Sequence, residues 1–185
     1  YIVGAEPQLP ENPFIDVAED DWYYESVLWA LDKGYTAGTS ENTFSPNSEL
    51  IRAQVVTMLW SAAGKPIVEI ENPFTDVHES DWFYNAVLWA YAEGVTSGIS
   101  ATEFAPNSIT TRAQAVTFLW SYLDQPEATA ANTFTDVAPG AWYEAAINWA
   151  VEEGVTSGMT DGSFGVEITC TRAHMVTFLQ QAIGD

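Results

Sequence analysis

The sequence predicts a mainly α-helical domain, built as three repeats of helix-loop-helix arranged with pseudo-threefold symmetry around a central three-helix bundle. Three observations lead there. Sliding the 185-residue chain by 60 positions aligns Asn12-Pro13-Phe14, Asn72-Pro73-Phe74 and Asn132-Thr133-Phe134, and every later landmark stays in register without a gap. Each copy holds two stretches of helical periodicity separated by loop chemistry. A unit of about 60 residues buries too small a share of its surface to be stable alone, so the units are expected to pack as one body.

The elements follow in chain order. Residues 1–11 are expected to be a linker or pre-sequence, followed by repeats over 12–71, 72–131 and 132–185. The opening Tyr1-Ile2-Val3-Gly4 has no charged region followed by an apolar core, so a signal peptide is either absent or already removed. In the first copy a helix is expected from about 21 to 33, because Tyr23, Val27, Ala30 and Leu31 recur at helical spacing and Gly34 is placed to end it. Asp20, Ser80 and Gly140 stand at the equivalent starts and are residue types accepted as N-caps. The stretch from Tyr35 to Leu50 is rich in Gly, Ser, Thr, Asn and Pro, which predicts a loop with at most a short extended piece. A second helix begins at Arg52-Ala53, Arg112-Ala113 and Arg172-Ala173. Its apolar residues, Ala53, Val56, Trp60 and Ala63 or Ala113, Val116, Trp120 and Leu123, form a narrow three-then-four seam suited to a bundle. The third copy has Gln180 where the others have tryptophan.

Charge and composition narrow the function. A net charge of -21 with five basic residues argues against nucleic acid, whose binding needs clustered Lys and Arg. No run approaches the roughly 20 apolar residues needed to span a bilayer, so direct membrane insertion is not expected. The lone Cys170 excludes an internal disulfide, and neither His78 nor His174 sits in a zinc-ligand spacing. No Asp-x-Asp-x-Asp-Gly loop, nucleophile elbow, P-loop or dinucleotide fingerprint is present, and no cofactor or catalytic centre is expected.

The recurring arginines are the first candidate site. Arg52, Arg112 and Arg172 are three of the five basic residues and fall in a first helical turn, where the macrodipole disfavours a cation by about 0.3–1 kcal/mol. Two partners account for them. One is the recurring Asp16, Asp76 or Asp136, as a bidentate pair pinning loop to helix. The other is an anionic ligand between the copies, held by the guanidinium and the free N–H groups of the helix start. Thr111 with Gln114 reads as a capping box, and Thr171 with His174 as a looser version, so those residues are chiefly scaffolding. Ile51 has no hydroxyl, so Ser48 or the backbone must serve in the first copy. Trp22, Trp82 and Trp142, at the head of each first helix, suit stacking on a sugar face better than Trp29, Trp89 and Trp149, which read as core. Gly38, Gly98 and Gly158 allow close approach of a ligand, although a turn alone would also require them. Repetition itself favours binding, because a polymer with repeated units rewards several weak sites.

The residues Phe74-Thr75-Asp76-Val77, Asp81-Trp82-Phe83, Ala90, Gly94, Gly98, Phe104-Ala105-Pro106 and Thr111-Arg112-Ala113-Gln114, with their counterparts 60 residues either side, resemble a triplet of S-layer homology domains. The resemblance covers about residues 12–185. It implies a three-pronged spindle with ligand grooves between the prongs, and noncovalent binding to a secondary cell wall polymer through a pyruvylated N-acetylmannosamine. By position it implies that Arg52, Arg112 and Arg172 meet the acidic sugar, with the adjoining threonines and loop glycines beside them. The chain departs from the family pattern at Gln54, Gln114 and His174, where Glu is usual, at Ile51, where Thr is usual, and at Val166, which replaces proline. These departures rank the sites on Arg112 and Arg172 above Arg52. An alternative expectation, from the acidity and scarce lysine, is a surface-layer or filament subunit that self-associates through bridging cations.

Overall fold

The computed structural model describes residues 9–184, so most of the expected 1–11 linker lies outside the described residues. Six helices follow one another: α1 Tyr24–Asp32, α2 Arg52–Ala62, α3 Tyr84–Ala92, α4 Arg112–Tyr122, α5 Glu144–Glu152 and α6 Arg172–Ile183. The first helix of each repeat starts about three residues later than the periodicity suggests. In the first two copies an aspartate-stabilised turn precedes it, with Ala18 N–H donating to Asp21 Oδ2 (2.8 Å) and His78 N–H to Asp81 Oδ2 (2.7 Å). Asp20, Ser80 and Gly140 lie before these helices and cap none of them; the N-cap positions are Tyr23, Phe83 and Tyr143, without a side-chain cap bond. At the other end Gly34, Gly94 and Gly154 take φ of +71°, +72° and +71°, the left-handed conformation expected of a terminating glycine.

The two helices of one repeat are not each other's main partners. Instead α3 packs on α2, α5 on α4, and α1 on α6, so every packed pair joins one repeat to the next and the cycle closes between the first and the last. The second helices gather at the centre through α2 with α4 and α4 with α6. Just before them the chain forms a closed triangle of backbone bonds. Leu50 N–H donates to Cys170 O (3.0 Å), Cys170 N–H to Thr110 O (2.8 Å) and Thr110 N–H to Leu50 O (2.8 Å). All three residues are fully buried, which places this triangle on the pseudo-threefold axis. Burial of Cys170 pushes its thiol pKa up to about 12, so it is an inert core residue.

The same exchange satisfies the helix starts. Arg52 N–H donates to Ser108 O (2.9 Å), Arg112 N–H to Ile168 O (2.8 Å) and Arg172 N–H to Ser48 O (3.0 Å). This is how the backbone serves where Ile51 cannot cap. It also narrows the expectation that free helix N–H groups await an anion, because the neighbouring repeat already takes the first N–H of each second helix.

The buried surface of the second helices is wider than a narrow seam. Ala53 and Val56 are buried as expected, but so are Val55, Met58 and Leu59, since the helix faces both the axis and a first helix. Trp60 and Trp120 are only partly buried, and their Nε1 atoms donate to Pro66 O (2.8 Å) and Pro126 O (2.9 Å). They fasten the crossing segments rather than fill the bundle. At the corresponding place Gln180 accepts a bond from the buried Ser26 hydroxyl (2.6 Å), which ties α6 to α1 where the cycle closes.

Candidate ligand grooves between the repeats

Each groove is assembled from all three repeats. An arginine comes from one, the glycine-flanked loop and the second helix from the next, and an exposed tryptophan from the third. The first brings together Arg52, Thr96, Gly98, Phe118 and Trp142 around about 1120 Å³. The second joins Arg112, Thr156, Gly158, Phe178 and Trp22 around about 550 Å³. The third joins Arg172, Thr36, Gly38, Met58 and Trp82 around about 350 Å³.

The arginines are buried, with relative exposures of 5%, 3% and 8% for Arg52, Arg112 and Arg172. Each Nε donates to the main-chain carbonyl of a phenylalanine in the next repeat: Arg52 to Phe104 (2.9 Å), Arg112 to Phe164 (3.2 Å) and Arg172 to Phe44 (2.8 Å). Aromatic rings flank the guanidinium plane. Arg52 lies 4.9 Å from the centroid of Phe104 and 5.0 Å from that of Phe118. Arg112 lies 5.1 Å from Phe164 and 5.2 Å from Phe178, and Arg172 lies 4.5 Å from Phe44, with Met58 at the position of the second ring. Such cation–π contacts, worth up to about 2 kcal/mol each when desolvated, help offset burial of a charge. Burial nonetheless lowers the pKa of all three guanidinium groups, opposed in part by Asp76, by Cys170 and Asp136, and by Asp16 respectively.

The aspartates do not form the expected pairs with arginine. Asp16 accepts from the amides of Phe44 and Ser45 (both 2.8 Å), and Asp76 from those of Phe104 (2.9 Å) and Ala105 (2.7 Å). Asp136 accepts from Phe164, Gly165 and Val166 at 2.7, 2.8 and 3.0 Å. Burial pushes the Asp136 carboxyl up, but these amide bonds outweigh it and hold the pKa below the ordinary value. The carboxylate thus takes the N–H of the residue after the phenylalanine whose carbonyl holds the arginine, so one peptide group, such as Phe104 C=O with Ala105 N–H, stands between the two charges. In this way the aspartate fixes the loop that fixes the guanidinium. Asp16 faces a separate recess with Tyr23, Ser45 and Asn47, not a groove.

Thr111 and Thr171 also stay out of the groove linings. The Thr111 hydroxyl accepts from Gln114 N–H (3.3 Å) while Gln114 Oε1 accepts from Thr111 N–H (3.1 Å), a closed capping box. The third residues of the second helices, Gln54, Gln114 and His174, do line the grooves. The tryptophans divide as their positions suggest. Trp22, Trp82 and Trp142 are 62%, 62% and 61% exposed, whereas Trp29, Trp89 and Trp149 are buried. Gly98 and Gly158 have φ of +84° and +79°, and a side chain at Gly98 would press on Phe74 and on the Glu103 carbonyl. The loop glycines are therefore required by the fold and also leave the groove open. The residues that sequence reasoning did not select are Phe104, Phe118 and their counterparts, the walls that hold the arginines. The recurrence of Phe44, Phe104 and Phe164 was visible, but an isolated phenylalanine reads as core.

The third-repeat cap differs in kind. Thr171 N–H donates to His174 Nδ1 (3.3 Å), and the imidazole lies between Trp22 (5.6 Å) and Phe178 (6.2 Å). Burial, aided by the Arg112 charge, lowers its pKa from 6.5 to about 4. Between those values the unfolded chain binds a proton that the folded chain refuses. Stability from this group is therefore complete above about 6.5 and lost as the pH falls toward 4. Unfolding free energies from urea titrations over that range are expected to fall more steeply for the native chain than for His174→Gln, by on the order of 2 kcal/mol after allowing for partial exposure. Parallel pH profiles would remove the role given to His174.

Comparison with known proteins fits the repeat register. The family model for the S-layer homology domain matches residues 13–56, 73–116 and 133–176. An endoglucanase of Bacillus sp. (strain KSM-635) is 30% identical over 86% of this chain and 17% of its own length. An S-layer protein of Bacillus thuringiensis subsp. finitimus is 26% identical over 90% of this chain and 21% of its own length. A surface-layer 125 kDa protein of Lysinibacillus sphaericus is 30% identical over 72% of this chain and 11% of its own length. The chain thus corresponds to about a fifth or less of these relatives. Family and relatives indicate the bacterial cell surface as its location. Three matches in the register of the three arginines, together spanning most of the chain, show that it belongs to the S-layer homology domain family.

Proposed function

We propose that the chain anchors the polypeptide carrying it noncovalently to the bacterial cell wall, by binding a secondary cell wall polymer in the grooves between repeats. The ligand group is a pyruvylated amino sugar at the polymer's end. One observation carries this reading: a buried guanidinium lies in each groove, together with an exposed indole, in a protein of net charge -21. The indole offers a sugar a flat apolar face and the arginine offers its carboxylate a cation. Local attraction can prevail over the overall charge because exposed charges beyond about 8–10 Å are screened at physiological salt. No catalytic step is assigned to this chain. The test is sedimentation with purified walls before and after removal of the pyruvyl groups. Retention on native walls and release after treatment is the expected result; equal retention on both overturns the ligand.

The acidity also favours a second reading, assembly into a surface layer through cations. Among the described residues no group of three or more His, Cys, Asp or Glu is placed to hold a metal ion, so bridging would need ligands from two copies. Calcium-dependent light scattering would support it, and a monomer at all calcium levels would count against it.

A further inference from the structure

We propose that the three grooves are unequal and that the groove built on Arg52 and Trp142 is the principal binding site, the reverse of the ranking drawn from sequence. This rests on the reading of the grooves as glycan sites. The first observation is Arg52 Nη2, which is fully buried and has no hydrogen-bond partner among the described residues. In the other grooves the same atom is engaged: Arg112 Nη2 donates to Thr156 Oγ1 (3.4 Å), and Arg172 Nη2 to Thr36 Oγ1 (3.4 Å) and Ala37 O (2.6 Å). An orphaned charged donor is costly, so a ligand carboxylate that Arg52 turns to meet relieves a penalty. At Arg172 the same approach would only exchange bonds already made.

The second observation is space and platform. The Arg52 groove, at about 1120 Å³, is about twice the 550 Å³ of the Arg112 groove and three times the 350 Å³ of the Arg172 groove. In the Arg112 groove His174 packs against Trp22 at 5.6 Å and takes part of the face a sugar would use. The residue equivalent to His174 in the Arg52 groove is Gln114, whose amide oxygen is turned to the Thr111 cap. Glu71 also lines the Arg52 groove and opposes an anion there.

Calorimetric titration of the intact chain with a glycoside of pyruvylated N-acetylmannosamine separates the grooves, since each exposed tryptophan belongs to one. Trp142→Ala is expected to weaken binding about tenfold or more, and Trp22→Ala and Trp82→Ala less than about threefold. Glu71→Gln is expected to tighten it by about two- to threefold. Arg52→Gln, checked for native circular dichroism, should match the loss seen for Trp142→Ala. The proposal is overturned if Trp22→Ala or Trp82→Ala causes the largest loss, or if three equal sites titrate, while the wall-ligand reading then survives. Equal binding of the sugar lacking pyruvate, or no binding by the unmodified chain, overturns that reading as well.

Discussion

Replacing Arg112 by alanine is expected to destabilise the fold by about 3–5 kcal/mol, an effect measured as a lowered urea midpoint with an unchanged slope. The side chain is 3% exposed and its guanidinium lies within 5.2 Å of the centroids of Phe164 and Phe178, so truncation opens a void between two rings. It also leaves the Phe164 carbonyl without the donor that reaches it at 3.2 Å. Lysine should rescue little, because a single ammonium lacks the planar face that the two rings enclose. Methionine should recover part of the packing and none of the hydrogen bonding. A midpoint equal to that of the unchanged chain would show that the rings close over the gap and that the arginine serves only the ligand.

This expectation rests on partners other than the two that the sequence offered, an aspartate or an anionic ligand. The arginine's unfavourable place at a helix start was plain, and so was the need for a compensating partner. The partner proved to be a carbonyl and two rings from other segments, such as Phe104 and Phe118 around Arg52. A spacing pattern cannot show this, because main-chain carbonyls are present at every position and only the fold selects one. The aspartates were likewise marked by their recurrence, but their role as acceptors depends on a loop returning to them. The repeat, the terminating glycines and the Thr111 cap depend on neighbours within a few residues, and these were readable. The pairing of α3 with α2 rather than with α4 was not. Both helices show an apolar face, and nothing in a single period says whose face it meets. The difference between the arginines was hidden for a related reason: Arg52 and Arg172 stand in equivalent positions, yet Thr36 and Ala37 engage Nη2 of Arg172 whereas Arg52 Nη2 has no partner among the described residues.

A chain ending at residue 131 is expected to lose cooperative folding altogether, a larger effect than any single substitution. The closed cycle makes this so. Removing the third repeat eliminates the pairs α4 with α5 and α6 with α1, leaving only α2 with α3 of the three joints between first and second helices. It removes two of the three bonds in the axial triangle, those from Leu50 to Cys170 and from Cys170 to Thr110. Arg112 loses the Phe164 carbonyl, and its backbone N–H loses Ile168 O. Independent repeats would behave differently, since two of them would keep about two thirds of the helical signal and melt in one transition. Circular dichroism of the fragment during heating separates the cases, the expected trace being weak and without a sigmoidal step. Adding residues 132–185 as a separate peptide should restore both signal and transition, because every joint it supplies is noncovalent. A cooperative melt of the shortened chain alone would mean that the joints between repeats are dispensable and that the grooves they frame need not form together.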